Sequence, residues 1–181
     1  MSGPHGTQAP SDWVRRWSHL VPAGGTVLDV ACGHGRHMRW FSHRGHPVTG
    51  IDRDPEATAE VQSLGRAITA DIENGPWPLA GDAFAAVVVT NYLWRPLLPQ
   101  ILASVAEGGV LLYETFAEGN ETVGKPSRPD FLLRHGELLT LCGGLRVVAY
   151  EDGFLDEPER FVQRIAAVRE PSGNGRARHA L

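Results

Sequence analysis

The sequence predicts an α/β fold: one domain built on a Rossmann-like, doubly wound sheet of about seven strands, mostly parallel with an antiparallel last strand. Three observations predict it. Short apolar runs rich in β-branched residues alternate with helix-length segments, the pattern of parallel strands joined by crossover helices. The first such run, in VLDVACGHGRH at residues 27–37, ends in a glycine turn that opens a helix. Three successive strands then end in a carboxylate: Asp29, Asp52 and Asp71.

The elements follow in order. Residues 1–10, rich in Gly and Pro, are expected to be a disordered flank. Ser11 suits the N-cap of a helix carrying Trp13, Val14, Trp17 and Leu20, ending before Pro22. Trp13 and Trp17, one turn apart, are expected to pack on the sheet rather than cover a ligand. After the strand from Val27 comes a helix that buries Met38, Trp40 and Phe41. It exposes Arg36, Arg39, His43 and Arg44 and closes at Gly45. A second strand spans 47–52. Asp54 caps the next helix, Pro55 takes its first position and Gly65 ends it. A short third strand covers 66–70. A loop holding Trp77 between two prolines leads to AFAAVVVT at 83–90, apolar almost throughout as a central parallel strand should be. A helix from Pro96 or Pro99 to Ala106 stops at Gly108 and Gly109, and the fifth strand takes 109–116. Residues 117–129 form a polar, Gly/Pro-containing loop, and a short helix at 137–141 ends at Gly143 and Gly144. Two closing strands at 145–151 and 160–168 have too short a link for a crossover helix, so they form an antiparallel hairpin. The domain is expected over residues 11–170, with 171–181 a disordered Gly/Arg-rich tail.

The 181 residues and 42% hydrophobic content suit one soluble domain with a sizeable core. A formal net charge of −4 gives no overall basic field for nucleic acid or an anionic membrane. Cys32 and Cys142 make no disulfide framework, the N-terminal stretch lacks an apolar signal core, and no apolar run is long enough for a bilayer. A cytoplasmic protein without a membrane partner is the expectation. His34 with His37, and His43 with His46, lack further ligands at zinc spacing, so they are expected to be surface or loop histidines and no metal is expected.

Gly33-His34-Gly35 lets a ligand lie directly on the main chain. Asp29, just inside the strand end, can face a cationic group held over that turn. The dinucleotide fingerprint asks for a third glycine three positions on, where Met38 stands. Asp52 follows Gly33 by 19 residues, the spacing of a carboxylate that takes a ribose hydroxyl pair, and Asp71 follows by 19 more.

In VLDVACGHGRH, GIDRDP and TADIENG, taken in that order, the chain resembles class I S-adenosylmethionine-dependent methyltransferases over most of its length. Within them it is most similar to the small bacterial tellurite-resistance type, through PSDWVRRW, the GNETVGKP loop and the segment from FLLRHGELLTL to YEDG. The resemblance implies S-adenosyl-L-methionine as cofactor. Asp29, Ala31, Gly33 and Gly35 would hold its methionine part and Asp52 its ribose hydroxyls. Arg53 would lie along the adenine, Asp71 would accept from the adenine amino group, and the Ile72 backbone would meet a ring nitrogen. The activity implied is methyl transfer to a small-molecule acceptor, an anionic one included.

Acceptor-side candidates follow the fourth and fifth strands. Asn91 and Tyr92 can position cofactor and acceptor, and Arg95 can offer a planar cationic fork to an anion. Asn91-Tyr92-Leu93-Trp94 lacks the proline pair often carried by enzymes that methylate nucleobase or glutamine amines. With the acidic balance, this disfavours nucleic acid as partner. Displacement at a sulfonium methyl needs alignment and exclusion of water more than an acid–base pair. Loop 117–129 and the first helix are the available cover. An NAD-dependent oxidoreductase shares Gly33, Gly35 and Asp52. A non-catalytic binding or scaffold protein of the same fold is the other rival, and intact Asp29, Asp52 and Asp71 count against it. The acceptor atom and the oligomeric state stay open at this level.

Overall fold

The β-branched runs form strands close to where they were expected. In the computed structural model, which describes residues 9–173 and 177–181, there are seven. They are β1 (Val27–Val30), β2 (Val48–Asp52), β3 (Arg66–Thr69), β4 (Phe84–Thr90), β5 (Val105–Phe116), β6 (Arg146–Asp156) and β7 (Glu159–Val168). They make one sheet in the order β3-β2-β1-β4-β5-β7-β6. The first five pair in parallel, while β7 runs antiparallel to both β5 and β6. The chain reverses its direction of travel across the sheet between β1 and β4, which leaves a crevice at the carboxyl ends of these strands.

Strand periodicity divides the core in two. Leu28, Val87, Val89, Leu111 and Tyr113 face one side, beneath α4 (Leu98–Ala103) and α5 (Glu137–Leu141). Val27, Ala86, Val88, Val110 and Leu112 face the other, beneath α1 (Asp12–Trp17), α2 (Arg36–Ser42) and α3 (Pro55–Val61). The predicted caps form. Ser11 Oγ accepts from the amide of Trp13, and Asp54 Oδ1 from that of Glu56. Trp13 and Trp17 are both 2% exposed, and the Trp13 indole donates to the Ile165 carbonyl at 3.1 Å, so the pair serves packing. Among the described residues no helix is long and apolar enough to cross a membrane.

Several boundaries differ from expectation. β5 begins at Val105, ahead of the two glycines, because Val105 pairs with Phe84 and a register shift then absorbs the extra residues. β6 and β7 continue to the pair Asp156–Glu159, drawn together by the Phe154–Phe161 contact at 4.9 Å between centroids. α2 buries His37 beside Met38 and Phe41, while Trp40 is only partly covered and Arg36 is half-buried. The cause lies in α1, which sits over the first turn of α2 so that the Ser11 amide donates to His37 Nε2 at 3.1 Å. Residues 1–8 and 174–176, within the flanks expected to be disordered, lie outside the described residues. Beyond the second gap, the Ala180 carbonyl lies 3.1 Å from His19 Nε2.

Two close approaches set the crevice. Gly35, at φ 74°, lies so near α3 that a Cβ there would sit 2.4 Å from Val61 Cγ1. A Cβ on Gly50 of β2 would sit 2.3 Å from Met38 Sδ and 2.8 Å from Cys32 Sγ. The glycine missing from position 38 is thus matched by one on the strand beneath it, and Met38 fills the space.

Arg95, at the start of the 3-10 turn Arg95–Leu97, ties down the segment that roofs the crevice. Its Nε and Nη2 donate to the two carboxylate oxygens of Glu137 at 2.8 and 2.9 Å. Its Nη1 and Nη2 donate to the carbonyls of Asp130 and Leu132 at 2.9 and 2.8 Å. This overturns the expectation of a free cationic fork, because Glu137 already neutralises the guanidinium in bidentate geometry.

Two outcomes follow for stability. Gly35→Ala combines a left-handed backbone with overpacking and should cost about 2–4 kcal/mol. Gly33→Ala, with nothing within 4 Å of the added carbon, should cost about 1–2 kcal/mol of backbone strain alone. Equal losses in urea titration would remove the Val61 contact as a cause. Arg95→Ala should lower stability by about 2 kcal/mol, or roughly 4–8 °C in Tm, through its charge-assisted bonds. A calorimetric Tm unchanged from wild type would remove the clamp.

Candidate active site

The crevice is framed by two strained residues. Among the described residues the non-glycine positions with positive φ are Ala31 at 53° and Asn91 at 54°. They follow β1 and β4, neighbours in the sheet. Left-handed backbone at an ordinary residue is costly and concentrates at functional sites.

Below Ala31, the glycine turn is held from β2. Asp52 Oδ2 accepts from the Gly33 amide at 2.8 Å and Oδ1 from the Asp54 amide at 2.9 Å. A cavity of about 250 Å³ opens beside this carboxylate. Ala31, Asp52, Arg53, Asp71, Ile72 and Tyr92 all line it, so the structure brings most of the predicted cofactor residues together. Asp71 Oδ1 accepts from the amides of Glu73 and Asn74, and Oδ2 from the Asn74 side chain. These bonds, those from Asn74 foremost, hold its carboxyl below the usual range. It is an ionised acceptor.

Asp29 is 2% exposed, and its Oδ2 has no hydrogen-bond partner. Burial pushes its carboxyl up to about 7, against the opposing pull of Arg36 and with a smaller push from Asp52. His37 accepts from Ser11 through Nε2, so its proton sits on Nδ1, facing Asp29 Oδ2 at 3.8 Å. Burial, with Arg36 adding, lowers the imidazole to about 3, and it stays neutral. His37 is therefore a buried positioning residue and not the surface histidine expected. Arg36 itself donates to Thr90 Oγ1 at 3.3 Å. A buried carboxylate oxygen without a donor, next to the glycine turn, fits the ammonium of a methionine moiety. Asp52 and Asp71 at the following strand ends fit a nucleoside. Among the described residues no cluster of three or more potential ligands could hold a metal.

A second cavity, of about 270 Å³, adjoins the first. Its polar lining comes from Glu73, Asn91 and Thr115, and its apolar lining from Leu93, Phe116 and Pro126. Glu73, Tyr92 and Phe131 line both cavities. The Tyr92 hydroxyl is buried with no hydrogen-bond partner. Burial first, and the Glu73 carboxylate beside it second, raise its ionisation well above the ordinary phenol range. Arg95 lines neither cavity but grips the carbonyls on both sides of Phe131, acting as a positioning residue for that ring. The loop over 117–129 is pinned at its base: Asn120 is buried, donates to the Pro126 carbonyl and accepts from the Phe161 amide. Sequence reasoning missed Arg36, Glu73 and Phe131. The adjacency of Arg36 to Gly35 was a usable signal, whereas Phe131 had none.

Comparison with known proteins agrees with this geometry. Residues 27–108 match a family model described as a methyltransferase domain. The tRNA U34 carboxymethyltransferase of Klebsiella pneumoniae is 28% identical over 169 residues, covering 83% of this chain and 50% of that protein. The chain thus spans half the length of this relative. Among solved structures, TehB from Haemophilus influenzae superposes with a TM-score of 0.70 at 22% identity, over 92% of this chain and 64% of that one. A TehB-like SAM-dependent methyltransferase from Corynebacterium glutamicum gives 0.64 at 19% identity, over 87% of both chains. These likenesses concern the fold, and the family model covers β1 to β4 with the acidic strand ends between them. Residues 27–108 thus match a methyltransferase domain, and the chain as a whole has the fold of S-adenosylmethionine-dependent methyltransferases.

Proposed function

We propose that this protein transfers the methyl group of S-adenosylmethionine to a small-molecule acceptor seated in the second cavity. One observation carries this: a nucleoside-sized cavity flanked by Asp52 and Asp71 shares a wall with a second, mostly apolar cavity. When bound, the cofactor supplies an electrophilic methyl on a sulfonium and leaves as a neutral thioether. Asp29 would face its ammonium, Asp52 its ribose hydroxyls, and Asp71 with the Ile72 backbone its adenine edge, with Arg53 alongside. Ala31, Gly33 and Gly35 leave the main chain open to it. Tyr92 lines both cavities and Asn91 the second, where they can align the acceptor with the methyl group. Phe131, held by Arg95, excludes water from above. Against an NAD-dependent oxidoreductase, Met38 still occupies the third-glycine position; against a non-catalytic scaffold, the acidic strand ends are intact.

Transfer to a tRNA uridine is the alternative favoured by the name of the Klebsiella relative. Arg15 and Arg44 flank the Trp40 ring at 5.5 and 3.1 Å, a basic aromatic patch of the kind that meets RNA. Labelled-methyl transfer from the cofactor to a small-molecule panel and to tRNA in parallel decides between them. Counts entering the tRNA fraction alone would reject the small-molecule acceptor.

The cofactor site gives two expected outcomes. Asp52→Asn keeps one acceptor oxygen for the turn but removes the charge, and each charge-assisted bond is worth about 1.5–3 kcal/mol. S-adenosylhomocysteine should therefore bind about tenfold or more weakly by calorimetry; unchanged affinity rejects the ribose assignment. The second concerns pH. An acid raised from 3.8 to about 7 costs folded stability as pH rises through that window. A base lowered from 6.5 to about 3 costs stability as pH falls through its own. Over the shared range, about pH 4 to 6.5, the contributions of Asp29 and His37 oppose each other and largely cancel in the free protein. An ammonium beside Asp29 favours its ionised form, so S-adenosylhomocysteine affinity should rise roughly tenfold or more from pH 5 to 7.5 and then level off. A flat profile, with no proton released on binding across buffers, would show that Asp29 does not meet the ammonium.

A further inference from the structure

The wall common to the two cavities contains one carboxylate with no assigned partner in the cofactor reading. Glu73 lies just beyond Asp71 and Ile72, half-buried, and lines both cavities. Its backbone amide is spent on Asp71, which fixes the turn that presents the side chain. Beside it stands the buried Tyr92 hydroxyl, whose ionisation Glu73 raises both by its charge and as a hydrogen-bond acceptor. No arginine or lysine lines the second cavity among the described residues. Arg95, the nearest candidate by sequence, is engaged by Glu137 and two carbonyls. A cavity with a lone carboxylate and no cation repels an oxyanion and holds a proton donor. The rings of Tyr92, Phe116 and Phe131 supply flat apolar surfaces.

We propose that Glu73 is the proton-accepting residue of the acceptor site, and that the acceptor is an uncharged, flat small molecule with an O–H or N–H nucleophile, such as a phenol or an aryl amine. This rests on the methyltransferase function proposed above. As the acceptor oxygen or nitrogen forms its bond to the methyl carbon, the carbon–sulfur bond breaks and its electron pair stays on sulfur. The acceptor's proton passes to the Glu73 carboxylate and then to solvent. Tyr92, kept in its protonated form by burial and by Glu73, donates to the acceptor heteroatom and orients its lone pair.

Three measurements on the full chain test this. Calorimetry with S-adenosylhomocysteine comes first; no binding to wild type rejects the cofactor assignment itself and the inference falls with it. With binding established, catechol, aniline and tellurite are offered with labelled cofactor to wild type and Glu73→Gln. The expected result is transfer to catechol or aniline and none to tellurite. In Glu73→Gln, kcat should fall about 100-fold while S-adenosylhomocysteine affinity changes less than about threefold. Transfer to catechol should recover toward wild type at alkaline pH, where solvent removes the proton. Transfer to tellurite alone, or an unchanged kcat in Glu73→Gln, overturns the proposal. The third readout needs no turnover. 4-Nitrophenol titrated on the S-adenosylhomocysteine-loaded protein should ionise at higher pH than in buffer, because the neighbouring carboxylate opposes phenolate, and the shift should vanish in Glu73→Gln. An identical ionisation in both proteins also overturns it.

Discussion

Asp52 accepts the Gly33 amide at 2.8 Å and the Asp54 amide at 2.9 Å, and through that pair of bonds the end of β2 fixes the shape of the turn leaving β1. A glycine turn without such an anchor would sample many conformations, since glycine gains nothing from any one of them. The anchor also sets the entry to α3, because Asp54 is the cap of that helix. Gly35 and Gly50 then allow α3 and α2 to close on the turn from either side. The glycine-turn end of the crevice is organised before any ligand arrives, which lowers the ordering cost of binding.

The second cavity is built on a different principle. Its wall depends on residues far apart in the chain: Arg95 reaches Glu137 and the carbonyls around Phe131, and Asn120 reaches Phe161. The two ends also differ in charge. Arg36, Asp29 and neutral His37 form a buried group beside the glycine turn, while Glu73 lies beside the Tyr92 hydroxyl on the wall shared by the two cavities.

What could be read from the sequence follows the same division. The positions of Asp29, Ala31, Asp52 and Asp71 at or just after strand ends are legible because a strand end and its turn are local events, encoded within a few residues. The helix caps at Ser11 and Asp54 were legible for the same reason. Arg95 was misread because the partners that occupy its guanidinium lie 35 to 42 residues away. His37 was misread because the residue that buries it, Ser11, precedes it by 26. The third glycine that Met38 replaces has its counterpart on β2 at Gly50, where strand propensity alone gives no reason for a glycine. β5 was placed too late because Gly108 and Gly109 read as a stop, although the strand tolerates them as an irregularity in register.

The insertion of β7 between β5 and β6 bears on how the chain is made. During synthesis from the N-terminus, this interior strand emerges after the other six strands of the sheet. Until it does, β5 is an open edge with unpaired backbone groups. The first helix waits as well: the Trp13 indole bonds to Ile165, 152 residues later, and Arg164, 17% exposed, bonds to Glu114, the same carboxylate that holds Ser11. The first helix thus completes its tertiary contacts only once β7 has emerged, and until then the nascent sheet keeps an open edge beside a partly anchored helix.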